Sequence, residues 1–330
     1  MAEQSDKWHH TMCRYLGLDL DTFFDFGILP GVCREALGRN DYLYSKTATF
    51  DSNKVYVWSD YHYRRLLKTG KVTPYYGTSP FLWELGKIAY AQDTTPEFYT
   101  EPEGSLFFLP RDDQVTIRED EYESVQRLID EVPRPVTFLL PWRSCDIWKH
   151  WDKLELAGSR PEFVQMSDPV TRQSTLAGLL LQHDHVYIPW PGTDLYYAEF
   201  LDKQIHVYDS IKQYRTKKMN EVERFSPNIL MFLKWGYEYL NDVQKEYFHW
   251  IENWNEIERQ DRKFLTIKML GLDVLKSPTE LYEDLLSKNF ITNGNPTEEY
   301  VSSYEWLRDK VEKIDDSKCS QVCQDIYNKL

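Results

Sequence analysis

Pro191-Gly192-Thr193-Asp194 brings a glycine, a hydroxyl and a carboxylate to the point where the apolar run HVYIPW gives way to the helix-like run LYYAEFLD. A helix starting there presents unpaired N–H groups and the positive end of its dipole, which suits a phosphate or a carboxylate. Thr193 or Asp194 would equally serve as a plain helix cap. Trp142, Arg143 and Asp146 follow another apolar run, VTFLLP. Arginine forks a phosphate, tryptophan stacks on a base or sugar, and aspartate accepts from sugar hydroxyls. Arg111, Asp112 and Asp113 follow a third run, and Ser167 with Asp168 follow a fourth. Any one group fits ordinary loop decoration; their recurrence at successive run ends points to a polar ligand.

Nearer the N-terminus, Asp25 before Gly27 and the pair Asp60 and His62 after KVYVWS are residue types that deprotonate an acceptor hydroxyl. Loop solvation is the plain alternative for all three. Asp19-Leu20-Asp21 has the spacing of two metal-binding carboxylates, yet such triplets are common by chance and no metal role is read there. Cys319 and Cys323 stand four apart in a helix-like tail, but without two further clustered ligands no zinc site is expected. The five scattered cysteines read as reduced thiols. The chain has no GxGxxG, GxxxxGK[ST], HExxH or GxSxG, which removes support for dinucleotide oxidoreductases, P-loop enzymes, zinc proteases and typical α/β-hydrolases.

The elements that must position these residues show most clearly from Gly104 to Ser210. Five short apolar runs (GSLFFLP, VTFLLPW, FVQMSD, HVYIPWP, IHVYDS) alternate there with four helix-like runs. That alternation predicts a parallel sheet with crossover helices, and such sheets bind ligands beyond the carboxyl ends of their strands. The first hundred residues read as a smaller α/β unit, with strands in DTFFDFGIL, DYLYSKT, KVYVWSD and KVTPYYGT and a helix in YHYRRLLKTG. The acid- and proline-bearing AQDTTPEFYTEPEG suits a connection between units. Residues 226–268 carry apolar side chains at helical spacing, Ser277-Pro278-Thr279-Glu280 has the form of a capped helix start, and the tail beyond Pro296 reads as helical. The division expected is an N-terminal unit over 1–95, a larger unit over 96–275 and a helical extension over 276–330.

A net charge of −14 argues against a duplex nucleic-acid partner, which needs a basic footprint. No stretch approaches the roughly 18 apolar residues of a membrane span, and MAEQSDKWHH lacks the pattern of a secretory signal, so a cytoplasmic location is the expectation. The 11 tryptophans and 23 tyrosines suit pyranose faces as well as core packing.

The order KVYVWSDYHYRRLLKTG, VTPYYGTSPFLW, EGSLFFLPRDDQ, VTFLLPWRSCDIW, WPGTDLYYAEFLDKQIHVY and MLGLDVLKSPTELYEDLL resembles GT-B-type bacterial surface or capsular polysaccharide biosynthesis glycosyltransferases, from Phe23 to Leu286. The resemblance implies an α/β fold of two Rossmann-like domains facing a cleft, with C-terminal helices. It implies metal-independent transfer of a sugar from a nucleotide-sugar donor to a glycan hydroxyl, without a cofactor, and peripheral association with a polysaccharide assembly complex. Arg111, Trp142, Arg143, Asp146, Ser167, Asp168, Gly192, Thr193 and Tyr197 would line the donor side, with Asp25 as base. Of these, Trp142, Asp146, Gly192, Thr193 and Tyr197 match the family pattern. The chain departs from it where Arg111 to Gln114 replace a serine- and histidine-rich turn and where Phe26 replaces a histidine before Gly27. These departures imply an alternative, a relative that binds sugar or nucleotide without transferring it.

Overall fold

The computed structural model describes residues 11–19, 26–28, 54–70, 72–95, 101–108, 129–140, 162–165, 169–188, 192–207, 242–292, 300–314 and 318–330. It is a mixed α/β protein with two parallel sheets and many helices. Chain contacts divide it into two compact units. The first comprises 1–100, 168–178 and 258–330, and the second 101–167 and 179–257. The helices after Glu258 therefore belong with the N-terminal unit.

The second unit carries the alternation read from the sequence. Strands β4 (Ser105–Phe108), β5 (Val136–Leu140), β6 (Glu162–Gln165), β7 (His185–Ile188) and β8 (Gln204–Val207) form one sheet in the order β6-β5-β4-β7-β8, every pair parallel. Each strand of a parallel sheet has helices on both faces, so its sequence is a continuous apolar run rather than an alternating one. Ser105 to Phe108 are accordingly all buried. Phe107 stacks on Tyr187 at 4.2 Å between ring centroids, which joins β4 to β7 through their side chains as well as their ladder.

Among its described residues the first unit has three strands, β1 (Gly27–Ile28), β2 (Lys54–Val57) and β3 (Thr73–Tyr76), paired in that order and all parallel. Pro74 lacks the N–H a central strand would need, and among the described residues β3 is the outer strand. Helix α1 (Asp60–Thr69) follows β2 and places Leu66 against Val55 and Val57. Helix α2 (Pro80–Thr94) starts with proline in its first turn and is buried along Pro80–Gly86. The residues quoted as SPFLW in the sequence were not read as a helix. Burial of every residue from Pro80 to Gly86 leaves no stripe there for a 3.6-residue period to reveal. The 14-residue helix α3 (Pro169–Gln182) leads into β7, α4 (Thr193–Phe200) follows it, and α5 (Asp242–Glu252) comes later in the second unit.

In the first unit α6 (Arg259–Leu270) is followed by α7 (Pro278–Ser287), α8 (Val301–Glu312) and α9 (Gln321–Lys329). The expected capping box is present: the Ser277 hydroxyl accepts from the Glu280 N–H, and the Glu280 carboxylate accepts from the Ser277 N–H at 2.9 Å. Helix α8 lies against α2, where Gly86 leaves room for Ser303.

One close approach governs the first unit. Gly271 ends α6 in the left-handed region, at φ +64°, and its Cα faces the Gly77 carbonyl beyond β3 and the Trp58 carbonyl beyond β2. A Cβ there would stand 2.2 Å from the Gly77 oxygen. Gly271→Ala should therefore lower unfolding stability by at least ~2 kcal/mol, from positive-φ strain plus backbone contact. Gly178 lies in α3 with open space around a built Cβ, so Gly178→Ala should raise it by about 0.5–1 kcal/mol. Urea titration of the two variants checks both signs.

Candidate functional site

The strand order of the second unit contains one reversal. From β4 the chain moves to β5 and β6 on one side, then returns to place β7 and β8 on the other. In open parallel sheets such a reversal, between the carboxyl ends of its two flanking strands, is where ligands generally bind. β4 ends at Phe108 and β7 at Ile188. The residues that follow them include Arg111 after β4 and Gly192 with Thr193 after β7.

Gly192 occupies the cap position of α4, with extended backbone (φ −145°, ψ −166°) and no side-chain capping bond. The alternative in which Thr193 or Asp194 caps the helix does not hold; both lie in the first turn. Gly192 supplies a carbonyl to the Leu195 N–H at 3.2 Å. Its lack of a side chain leaves no cap oxygen competing for the first amides. Asp194 offsets part of the positive dipole end. Tyr197 follows Thr193 by one turn on the same face and is buried. α4 is also clamped along Tyr196 and Glu199: the Tyr196 and Tyr247 hydroxyls meet at 2.6 Å, and Trp254 Nε1 donates to the buried Glu199 carboxylate at 3.1 Å. These anchors were not read from the sequence, because 51 and 55 residues separate the partners and no local pattern marks them.

Of the other sequence candidates, Asp25, Arg111, Trp142, Arg143, Asp146, Ser167 and Asp168 lie outside the described residues. Asp112, Asp113, Asp21 and the DYLYSKT run lie outside them too.

Asp60 and His62 are described, and both serve the packing of the first unit. Asp60 accepts from Arg64 Nε at 2.8 Å and from the Tyr327 hydroxyl at 3.0 Å, while the Arg64 guanidinium lies 4.9 Å over the Tyr327 ring. His62 is 2% exposed and its Nε2 has no hydrogen-bond partner. Burial, with the charge of Arg65 second, holds its imidazole down to about 4. The ends of β2 and β3 beside them are sealed by the chain itself. Ser79 N–H donates to the Leu270 carbonyl at 2.9 Å, the Thr78 hydroxyl to the Gly271 carbonyl at 3.0 Å, and the Tyr76 hydroxyl to Asp273 at 2.6 Å.

A second polar cluster surrounds Asp284, which accepts from the Tyr75 hydroxyl at 2.8 Å, from Lys288 at 2.8 Å and from Lys276. It borders an open depression of about 570 Å³ that Glu280, Glu283 and Tyr304 also line. Burial is the largest single influence on the Asp284 carboxyl and opposes its charge, but the hydrogen bonds from Lys276, Lys288 and Tyr75 together outweigh it and hold the group down to about 2.

Compared with family models, with curated proteins and with solved structures, the chain matches none. What the structure defines is therefore a class: an α/β protein whose larger parallel sheet has a doubly wound order. Among the described residues no helix is long and apolar enough to cross a membrane.

The two shifted groups give a pH signature. His62 has a folded value below its unfolded 6.5, so its contribution is complete above pH 6.5 and is lost as the pH falls toward 4, where the unfolded chain binds the extra proton. The loss amounts to about 3 kcal/mol at 1.36 kcal/mol per unit. Asp284 has a folded value below its unfolded 3.8, so its contribution is lost between pH 3.8 and about 2. Urea unfolding across pH should flatten between 6.5 and 4 in His62→Leu. In Asp284→Asn it should flatten only below 4.

Proposed function

We propose that the protein is a GT-B-like glycosyltransferase that moves a sugar from a nucleotide-sugar donor to a glycan hydroxyl in surface polysaccharide assembly, without a metal, at the cytoplasmic side. The observation that carries this reading is the strand order β6-β5-β4-β7-β8, with its reversal between β4 and β7. Sheets of this order take nucleotides at the reversal. The donor would lie beyond Phe108 and Ile188, its phosphates toward Gly192, Thr193 and the start of α4, with Arg111, Arg143 and Trp142 supplying charge and stacking. Asp146, Ser167 and Asp168 would hold sugar or ribose hydroxyls, Tyr197 would back the Thr193 turn, and Asp25 would act as base toward the acceptor.

The first unit favours a second reading, binding without transfer. Its strand ends at β2 and β3 are occupied by the Gly271 corner, and Asp60 and His62 are committed to packing. That leaves the acceptor side with Asp25 alone among the acid–base candidates.

Calorimetry with UDP-, GDP- and CMP-sugars tests the shared part of both readings. One donor class should bind, and Arg143→Ala and Thr193→Ala should each weaken it ten- to a hundredfold, the usual loss for a hydrogen bond to a charged group. Unchanged affinity in both variants sinks this placement. Release of free nucleotide from the bound donor then separates the readings. Turnover that Asp25→Asn abolishes favours the transferase, and binding without turnover favours the inactive relative.

A further inference from the structure

We propose that Asp261, Cys319 and Cys323 form a binding site for one zinc ion, a role independent of the donor site. The sequence shows two cysteines four apart and nothing to join them; the fold supplies the third ligand from 62 residues earlier, at the start of α6. One carboxylate oxygen and the two sulfurs all lie within 4.8 Å of one another. Zinc–sulfur and zinc–oxygen bonds of about 2.3 and 2.1 Å place tetrahedral ligand atoms roughly 3.6 Å apart, so small side-chain rotations suffice to close the set. The three residues are 5%, 8% and 0% exposed.

Three further features fit an ion. The Asp261 carboxylate is already oriented: the Ser320 N–H donates to Oδ1 at 2.7 Å and the Ser320 hydroxyl to Oδ2 at 2.6 Å. Each oxygen keeps a second lone pair for a metal, and hydrogen bonds of this kind fix ligating carboxylates in metal centres. The site also lies where two helices begin. Asp261 is in the first turn of α6, and Ser320, by accepting from the Cys323 N–H at 3.1 Å, caps α9. Two thiolates and a carboxylate around Zn²⁺ leave one net negative charge, which those two dipole ends stabilise. Finally, two sulfurs with one oxygen select a thiophilic ion over magnesium or calcium. A serine cap bound to aspartate would by itself pin the helices; it does not require two thiols at the same point.

Binding is balanced as Zn²⁺ replacing two thiol protons. Two S–H bonds break, two Zn–S bonds form, both protons pass to solvent, and water takes the fourth position. The ion would fasten α9 to α6.

Cobalt reports the ligand set directly. Titrating the full-length reduced, metal-stripped protein with Co²⁺ should produce a sulfur-to-cobalt charge-transfer band and tetrahedral visible bands that saturate at one equivalent and bleach when Zn²⁺ is added. Cys319→Ser and Cys323→Ser should each weaken Zn²⁺ binding at least tenfold, Ser320→Ala should weaken it about tenfold through the freed carboxylate, and Cys33→Ser should leave it unchanged. Circular dichroism identifies variants that remain folded, and the wild-type titration needs no variant. A wild-type protein without the charge-transfer band overturns the proposal. So does a band that survives in the Cys319→Ser/Cys323→Ser double variant, or a Cys319–Cys323 disulfide found by mass spectrometry after anaerobic purification.

Discussion

The larger unit depends on a single constraint: every pair in its sheet is parallel. Parallel neighbours cannot be joined by a tight turn, so each strand must be followed by a crossover long enough to carry the chain back. Crossovers of this kind cover both faces of a sheet, and the central strand β4, the first of this unit in sequence, is buried along its whole length. With β4 central and growth first to one side and then to the other, a reversal is unavoidable. The reversal between Phe108 and Ile188 follows from the connectivity, and at such a position the loop residues decide what can be held.

The smaller unit starts from the same pairing and uses its strand ends differently. The corner at Gly271 comes within backbone contact of the ends of β2 and β3, and carbonyls of residues 270 and 271 take up the donors that a ligand would otherwise use. This works only because residues 258–330 return to the N-terminal segment, a long-range closure whose entropy cost grows slowly with loop length. The return also explains why the tail is not an appendage. α8 packs on α2, and Tyr15 donates to the Lys276 carbonyl at 2.6 Å across 261 residues.

What could be read from the sequence divides along the same line. The five strands of the large sheet, the helix after each of β2 and β7, and the Ser277–Glu280 capping box are local events, each written in consecutive residues. Strand order is not local, so the position of the reversal appeared only in the fold. Helix α2 is hard to read because its first two turns, Pro80 to Gly86, are buried on every side and show no amphipathic period, although Ser79-Pro80 marks its start. Nothing local marks Gly271, because the close approach that requires it is to Gly77, far away in sequence. For the candidate site the strand-end rule found Gly192 and Thr193 at a helix start, and of the two readings left open there the fold removes the capping one, because Gly192 itself holds the cap position.

Asp60 shows how the fold limits chemistry. A base must exchange its proton with substrate, which requires a lone pair facing an open space at the moment of transfer. Asp60 spends one oxygen on both Arg64 and Tyr327, and those bonds tie α1 to the buried end of α9. Removing the carboxylate would leave the Tyr327 hydroxyl without its acceptor and Arg64 without its ion-pair partner, a cost borne by packing. A residue under that load is required by the packing whether or not any reaction occurs nearby. Acid–base work in the first unit, if the protein performs it, must therefore fall to a side chain that the α1–α9 contact does not require.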